Sequence, residues 1–426
     1  MSEQKRTRRE PSSDERPRQQ RNRNNSNKSN RNIRNRSRRT SGKSRRYRQA
    51  QLHRRIAATV AGVFFLLLLI FIIRGCSGCN KEVSSKNAAA SASGSTSKDL
   101  VEMEAVTSRP VSLTLSVVGD CTLGTDENFD YDSSLNAYYE SYGPSYFLQN
   151  VKSIFSSDDL TIANFEGTLT DLDTREDKTF AFKAPASYAS ILTEGSVEAV
   201  NTANNHSHDY GEQSFDDTLK ALDAQGIVHF GYDETAIMDI KGVKVGLVGI
   251  YELDDHLGRE EQLKKNIAKV KADGAQLIVV IFHWGNETET VPDSNQTTLG
   301  RLAIDEGADL VCGHHPHVLQ GIETYKGKNI VYSLGNFCFG GNSSPSDMDT
   351  MIYQQTFTVD ANGVKADNVT NIIPCSISSA AEDGYNNYQP TPAQGEEATR
   401  ILEKINERSS WIDTAEGTTF TASYKQ

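Results

Sequence analysis

Short apolar, β-branched runs that each end in a polar loop recur along this chain, and they limit its fold more than any other feature. Such a run is typical of a buried strand that delivers its last residues to the edge of a sheet. The runs lie at 113–118, 160–163, 197–202, 277–282, 308–312 and 329–332. Helical periodicity lies between them at 215–225, 261–272 and 297–305. Strands that alternate with helices predict an α/β sheet, and several short connections predict that some strands run antiparallel.

Polar side chains follow the predicted strands. Asp120 follows the first run, Glu166 the second, Asn205 and His206 the third, and His283 the fourth. Loops at the carboxyl ends of strands in an open α/β sheet line the ligand crevice. We therefore expect these residues to meet, although they are distant in the sequence.

The fifth run is followed by Gly-His-His-Pro-His at 313–317. This stretch holds three of the nine histidines of the chain, His314, His315 and His317. Imidazoles packed this closely predict a metal or phosphate site.

Charge is divided unevenly along the chain. Residues 1–55 hold 20 Lys and Arg against 4 Asp and Glu, a net charge of +16, which leaves −27 for the other residues because the total is −11. Residues 56–73 follow as an uncharged run of 18 residues, just long enough for a membrane-spanning helix. The basic residues before this run predict a single-pass membrane protein with a cytoplasmic N-terminus and an extracytoplasmic domain. A cleaved signal peptide and lipid modification of Cys76 are the less favoured alternatives.

The basic arm at 1–55 is rich in Arg, Asn and Ser and nearly free of large apolar residues, which predicts disorder. Clustered cations favour the anionic lipids of the cytoplasmic leaflet. Nucleic acid is a less favoured partner because no aromatic or fold signature accompanies the charges. After the transmembrane helix at 56–73, we expect a flexible stalk at 74–110, a folded domain at 111–374 and a C-terminal extension at 375–426. The extension holds one amphipathic helix, at 396–407.

The polar loops form six motifs in a fixed order. They are Gly-Asp at 119–120, Asn-Phe-Glu-Gly at 164–167, Asn-Asn-His at 204–206 with Asp-Tyr-Gly at 209–211, His-Trp-Gly-Asn-Glu at 283–287, Gly-His-His-Pro-His-Val-Leu-Gln-Gly at 313–321, and Tyr-Ser-Leu-Gly-Asn-Phe at 332–337. This set resembles the CapA family of capsule synthesis, also known as PgsA-like poly-γ-glutamate synthesis proteins, within the calcineurin-like metallophosphoesterase superfamily. The resemblance spans roughly 113–374. It implies a metallo-dependent phosphatase-like sandwich of two β-sheets flanked by helices, with the site at a loop edge.

The resemblance also implies a divalent metal ion, for which Mn, Fe or Zn would be suitable. A metal-dependent hydrolase needs oxygen and imidazole ligands, and a carboxylate that can bridge two ions. Glu166 would be that bridge. His206 matches the position that contacts the phosphate and protonates the leaving group in related phosphoesterases. The expected metal ligands are Asp120, Glu166, Asn205, His283, His315 and His317.

Other polar residues of the motifs are expected beside the ligands or in contact with substrate. Asp209 would orient a neighbouring histidine, and Glu287 would be a network partner of His283. His314 and His315 compete for one ligand position, and the His-x-His spacing favours His315. The supporting set is Asn204, Asp209, Glu287, His314, Ser333 and Asn336.

The chain departs from its catalytic relatives at Thr122, where they typically place a histidine. The loss of one ligand would weaken one of two metal positions. The number of metal ions is therefore open.

Three classes of function fit these features. The resemblance favours a membrane-anchored, extracytoplasmic component of capsule or poly-γ-glutamate synthesis or export. Its partners would be membrane proteins of surface-polymer synthesis, with an acidic polymer as a candidate ligand. The second class is an extracytoplasmic metal-dependent hydrolase of phosphoesters or amides, and the third is a noncatalytic polymer-binding module. The charge of −27 outside the arm opposes direct binding of a polyanion unless a metal or a basic patch compensates.

Overall fold

The computed structural model describes residues 109–412 and 419–425. The predicted basic arm and transmembrane helix, and nearly all of the predicted stalk, lie outside the described residues. Within the described part, no helix is both long enough and apolar enough to cross a membrane.

The strands are numbered in chain order. They are β1 Val111–Thr122, β2 Leu160–Phe165, β3 Thr168–Leu169, β4 Lys183–Ala184, β5 Ala199–Asn201, β6 Val228–Phe230, β7 Ala236–Ile240, β8 Val243–Tyr251, β9 Leu277–His283, β10 Leu310–His314, β11 Ile322–Tyr325, β12 Lys328–Val331, β13 Asn336–Phe339, β14 Asp349–Asp360, β15 Gly363–Val364, β16 Val369–Ser376 and β17 Thr391–Pro392.

The α-helices are α1 Leu135–Tyr142, α2 Lys152–Phe155, α3 Ser190–Glu194, α4 Glu212–Gln225, α5 Glu260–Ala272, α6 Ser294–Asp305 and α7 Gly395–Ser410. Short 3₁₀ helices lie at Tyr131–Ser133, Pro144–Tyr146, Ala186–Ala189, His256–Arg259 and Ala381–Asp383.

Most strands belong to two mixed sheets. The larger has the order β17-β16-β14-β1-β2-β5-β6, with β13 beside β1 and β15 beside β14. The smaller has the order β11-β12-β10-β9-β8-β7. Strands β1, β2, β5 and β6 run parallel, as do β8, β9, β10 and β12, whereas β14, β16, β7 and β11 pair antiparallel. This confirms the predicted α/β fold with some antiparallel strands.

Alternation along the strands builds three cores. In β9, Val279 and Ile281 join a cluster that includes side chains of both sheets, whereas Val280 and Phe282 join a cluster with α5 and α6. A third cluster lies between the larger sheet and helices α1, α3 and α4. Successive side chains of a strand point to opposite faces, so each sheet is covered on both sides. Each fully buried Val, Ile or Phe stabilises the fold by roughly 1.5–3 kcal/mol.

The chain after residue 374 shares the core between the sheets. Ile401 and Ile405 of α7 belong to that cluster and are 0% exposed. Strand β17 pairs with β16 at the edge of the larger sheet.

The four predicted helices are present, and each begins one to three residues earlier than its periodicity indicates. Helix α6 begins at Ser294 instead of 297 because Asp293 caps it. The Asp293 carboxylate accepts from the backbone of Gln296, whose side chain bonds back to the Asp293 backbone. A capping box of this kind satisfies the free N–H groups of the first turn.

Candidate metal centre

The carboxyl ends of parallel strands from both sheets meet at one edge. In the larger sheet, Asp120 of β1 pairs in register with Asn164 of β2, which pairs with Asn201 of β5. In the smaller sheet, His283 of β9 pairs with His314 of β10. The two rows are in contact, because Nδ1 of His314 lies 3.2 Å from Oδ1 of Asp120.

Glu166 stands directly after β2 and is 0% exposed. Its Oε1 atom has no hydrogen-bond partner among the described residues. The Nε2 atoms of His206, His283 and His317 each lie 3.9 Å from this oxygen. A buried carboxylate oxygen without a partner is costly. Three imidazole nitrogens surrounding it indicate that a further group belongs between them.

The distances fit a divalent cation as that group. A separation of 3.9 Å is too long for a hydrogen bond. Ligands that lie about 2.0–2.2 Å from one ion are roughly 3–4.3 Å apart. Nε2 of His283 also lies within hydrogen-bond distance of Oδ1 of Asn205, at 2.8 Å, so the Asn205 oxygen faces the same point. Among the residues that the structure describes, three combinations of side chains could hold an ion: Glu166, His283 and His315; Glu287, His315 and His317; and Asp120, Glu166 and His317.

Asp120 connects the two sheets at this edge. Its Oδ1 atom accepts from the Asn164 side chain at 2.8 Å. Its Oδ2 atom lies 3.2 Å from Nδ1 of His317 and accepts the backbone N–H of His315 at 3.3 Å. Asp120 therefore positions the histidine loop as well as offering carboxylate oxygens.

The histidine loop has an unusual backbone. His315 has φ +95° and His317 has φ +58°, conformations that cost non-glycine residues of order 1–3 kcal/mol and cluster at functional sites. A Cβ atom at Gly313 would lie 2.2 Å from Nε1 of Trp284 and from the Tyr332 carbonyl oxygen. Trp284 donates to that carbonyl at 2.8 Å, so it packs beneath the loop.

The pKa values of the acidic and basic groups of the centre are shifted in different directions. Burial raises the pKa of Glu166 to about 8, and the negative charge of Asp120 contributes. Burial also opposes ionisation of Asp120, but hydrogen bonds from His314 and His317 hold the pKa of Asp120 well below its usual range. Burial disfavours the cation of His317, yet Glu166 and Asp120 outweigh it and raise the pKa of His317 to about 9.

His283 and His315, the other two expected histidine ligands, are held neutral. Burial, with the charge of His317, lowers the pKa of His315 to about 3. Burial, with His315, lowers the pKa of His283 well below its usual range. A neutral imidazole is the form that binds metal.

Nδ1 of His206 is hydrogen-bonded, and Nε2 of the same ring faces the centre. Its Nδ1 atom lies 2.7 Å from Oδ2 of Asp209. Lys178 donates to Oδ1 of Asp209 at 2.7 Å and to the carbonyl of Asn205 at 2.7 Å. Burial lowers the pKa of His206 although Asp209 opposes this. Asp209 thus fixes the ring so that Nε2 points towards Glu166 and can hold or release a proton.

Two residues of the supporting set stabilise loops. The Asn204 side chain donates to the carbonyl of Phe165 at 2.7 Å, and the Ser333 hydroxyl donates to the carbonyl of Val318 at 2.7 Å. Both side chains are buried. These contacts hold the strand-end loops in place.

The remaining supporting residues touch or approach the histidines. Oδ1 of Asn336 lies 2.9 Å from Nδ1 of His317. Glu287 is exposed and can reach an ion shared with His315 and His317. His314 is 0% exposed and contacts Asp120, not the unpartnered Glu166 oxygen.

Sequence reasoning missed three residues of this network: Asn164, Asn201 and Lys178. The Asn164 side chain lies 3.3 Å from Nδ1 of His283, and Asn201 donates to Oδ1 of Asn164 at 2.8 Å. Both asparagines are polar residues inside fully buried strands, which is a usable signal. Lys178 lies in a loop without periodicity and offers no such signal.

Thr122 makes one long contact with Glu166. Its hydroxyl donates to Oε2 of Glu166 at 3.4 Å. The two Glu166 oxygens therefore differ, because only Oε1 faces the imidazoles.

Comparison with known proteins adds to this geometry. A family model described as "Bacterial capsule synthesis protein PGA_cap" matches residues 114–341. The capsule biosynthesis protein CapA of Bacillus anthracis is 30% identical over 253 residues, which cover 53% of this chain and 60% of that protein. The PGA biosynthesis protein CapA of Bacillus subtilis is 32% identical over 252 residues, 53% of this chain and 63% of that protein. A probable polyglutamine synthesis accessory protein of Mycobacterium tuberculosis is 27% identical over 214 residues, 42% and 55% of the two chains. The chain thus spans about three fifths of the length of the Bacillus relatives.

Proposed function

The chain belongs to the bacterial capsule synthesis protein family PGA_cap, and from this we propose that it serves capsule or poly-γ-glutamate synthesis or export at the cell membrane. The similar Bacillus proteins are named for capsule and PGA biosynthesis. The basic arm followed by the uncharged run 56–73 supports a single-pass anchor with the folded domain outside the cytoplasm. Membrane proteins of surface-polymer synthesis would be its partners, and inner-leaflet lipids would bind the arm.

We infer that the domain works through a divalent metal in a metallophosphatase-like site. The observation that carries this is the buried Oε1 atom of Glu166, which faces three imidazoles at 3.9 Å and has no hydrogen-bond partner among the described residues. The residues that would hold the metal are Asp120, Glu166, Asn205, His283, His315 and His317. Their imidazole, amide and carboxylate donors suit Mn, Fe or Zn.

A hydrolase is the activity that the neighbouring groups support best. The bound metal would polarise a phosphoryl or carbonyl oxygen and lower the pKa of a water molecule. His206, held at Nδ1 by Asp209, would first take up a proton at Nε2 and then pass it to the leaving group. Lys178, whose Nζ lies 2.7 Å from Oδ1 of Asp209, would hold that carboxylate in place. A phosphoester or an amide bond of the polymer, its precursor or peptidoglycan would be the substrate.

The first test measures metal in the purified full chain by elemental analysis. Glu166→Gln combined with His317→Ala should lose the metal, because two ligands and most of the local negative charge are removed. Glu198→Gln with His229→Ala is the matched control. Glu198 lies at the amino end of β5 and accepts from Thr161 N, and His229 contacts Asp223, so both lie away from the centre.

The second test separates catalyst from scaffold. His206→Ala should retain metal and fold but lose hydrolysis of small phosphoesters or amides by about a hundredfold, the scale for removal of a general acid. In the first test, one equivalent of metal retained by the Glu166/His317 double variant would refute the proposed metal centre. Unchanged hydrolysis and unchanged polymer output in His206→Ala would leave a noncatalytic role.

A further inference from the structure

A pocket of about 520 Å³ opens beside the metal centre, and His206 and His317 form part of its wall. Its volume is typical of a small-molecule site. We propose that this pocket binds an uncharged saccharide unit of the molecule on which the centre acts. The inference rests on the proposed function, because it assigns the substrate class of the same site.

Aromatic rings form one wall of the pocket. Phe180 is 48% exposed and Phe182 is 5% exposed. Their rings are nearly parallel, at 5°, with centroids 6.4 Å apart, and Phe129 lies 6.0 Å from Phe180. The Phe182 ring lies 4.5 Å from that of His206. The wall therefore leads from solvent to the histidine that faces Glu166.

Two buried carboxylates hold this wall in place before any ligand arrives. Asp209 accepts the backbone N–H of Phe182 at 2.6 Å, and Asp126 accepts that of Ala181 at 2.7 Å. Asp126 also accepts the backbone N–H of Asn128 at 2.8 Å. A wall fixed in this way loses little conformational entropy on binding. An exposed ring held rigidly above a pocket is suited to stacking.

Apart from the histidines of the metal centre, the other walls are polar and carry no positive charge. None of the described residues that line the pocket is Lys or Arg, whereas three are acidic: Asp130, Glu287 and Asp347. Asp347 is paired with Lys404, which lies 3.2 Å from it and lines a different hollow. A γ-linked glutamate chain carries one carboxylate per residue, and in the part of the pocket away from the metal centre it would meet the like charge of these acidic residues.

Two cations of an adjoining hollow do not add positive charge to the pocket. Lys178 and Arg175 line a separate hollow that shares Asn128 with the pocket. Lys178 is bound to Asp209, and Arg175 is bound to Asp126. Their charges are directed at the protein's own carboxylates.

The donors and acceptors of the pocket match hydroxyl groups. Asn342, Ser343 and Asp347 lie on its polar side. Sugar hydroxyls donate to carboxylates and accept from amides, while the C–H face of a pyranose packs against the negative face of an aromatic ring. An alkyl chain would leave these polar groups desolvated without partners. A saccharide can contact both the aromatic wall and the polar side of the pocket, whereas a polyglutamate or a lipid tail cannot satisfy both.

The test measures binding to the full chain by calorimetry and saturation-transfer NMR. The probes are glucose, galactose, N-acetylglucosamine and their dimers, with γ-linked tetraglutamate and octyl phosphate as competitors. At least one saccharide should bind, and Phe180→Ala should weaken its Kd about tenfold. Phe180→Trp should restore binding to within about threefold because a stacking face remains. Trp411→Ala is the matched control, since Trp411 is 49% exposed and does not line the pocket.

Metal content measured in the same samples separates the two hypotheses. Saccharide binding that depends on Phe180 in a protein without metal would uphold this inference and contradict the proposed centre. Metal retention with no binding by any saccharide of the panel would overturn this inference alone. Tetraglutamate or octyl phosphate binding that Phe180→Ala weakens, with no saccharide bound, would also overturn it.

Discussion

Oδ2 of Asp209 lies 2.7 Å from Nδ1 of His206 and also accepts the backbone N–H of Phe182 at 2.6 Å. One carboxylate therefore fixes the tautomer of the histidine beside the candidate metal centre and the position of the aromatic wall. Because Asp209 is 1% exposed, solvent cannot replace either contact.

Asp209→Asn should reduce hydrolysis by about tenfold to a hundredfold while leaving metal content unchanged. The amide cannot hold a proton on Nδ1 as a carboxylate does, so Nε2 is no longer prepared for proton transfer. Steady-state kinetics on a small phosphoester and elemental analysis measure both outcomes. Asp309→Asn is the matched control, because Asp309 also accepts one backbone N–H, from Ile278, and binds one lysine, Lys328. Equal loss of activity in both variants would assign Asp209 a structural role only.

Metal affinity should rise with pH up to about pH 9, because Glu166, with a pKa of about 8, and His317, with a pKa of about 9, must each lose a proton to bind metal. Glu166, with its pKa raised to about 8, is protonated below that value in the metal-free protein. The metal must then displace the proton, so the Kd should increase about tenfold per pH unit below pH 8 for each proton released. Calorimetry with Mn²⁺ in two buffers of different ionisation enthalpy counts the protons. Glu198→Gln should leave the dependence of the metal Kd on pH unchanged. A Kd that is constant from pH 6 to 8 would show that Glu166 does not release a proton when the metal binds.

The edge at which the site lies was predictable from the sequence, because it depends on strand ends. Asp120 lies two residues before the end of β1, Glu166 directly follows β2, and His283 ends β9. In-register pairing of parallel strands brings such ends together. The apolar, β-branched runs place those ends to within four residues along the chain. The ligand roles of these residues remain predictions.

Contacts that depend on long-range pairing were not predictable. Strand β14 lies antiparallel to β1 along seven residue pairs, from Val111 opposite Val359 to Val117 opposite Tyr353. The alternation of buried and partly exposed residues within β14 does not show which strand it pairs with. Lys178 likewise reaches the site only because Asp126 and Asp209 hold its loop through backbone N–H groups. Neither kind of contact leaves a period in the sequence.

Membrane topology can be tested on intact cells. Protease added outside should remove the domain that follows residue 80 and spare the basic arm, because the charge of the arm retains it in the cytoplasm. An N-terminal tag and an antibody against the domain distinguish the two parts on a blot. A cytoplasmic marker checks that the cells remain closed. A domain that is digested only after permeabilisation would reverse the proposed orientation.

Asp158→Asn should stabilise the domain at neutral pH. Burial raises the pKa of Asp158 to about 6, so the folded state holds this proton more tightly than the unfolded state does. Stability associated with Asp158 is therefore present below about pH 4 and is lost as the pH rises to about 6. The side-chain amide of the variant does not ionise, so the domain does not lose this stability as the pH rises. The amide oxygen can still accept from the Thr161 hydroxyl, which lies 2.8 Å from the Asp158 carboxylate. Discounted for partial solvent exposure, the gain is about 1 kcal/mol, or roughly 2 °C in Tm at pH 7.5.

Scanning calorimetry at pH 4 and pH 7.5 measures this gain, which should be small at the lower pH. Asp159→Asn is the control, because Asp159 pairs with Lys241 at 2.7 Å and accepts the Thr114 N–H at 2.9 Å. Removing its charge should lower Tm at pH 7.5. An equal rise in Tm for Asp158→Asn at both pH values would show that the effect comes from packing and not from the proton.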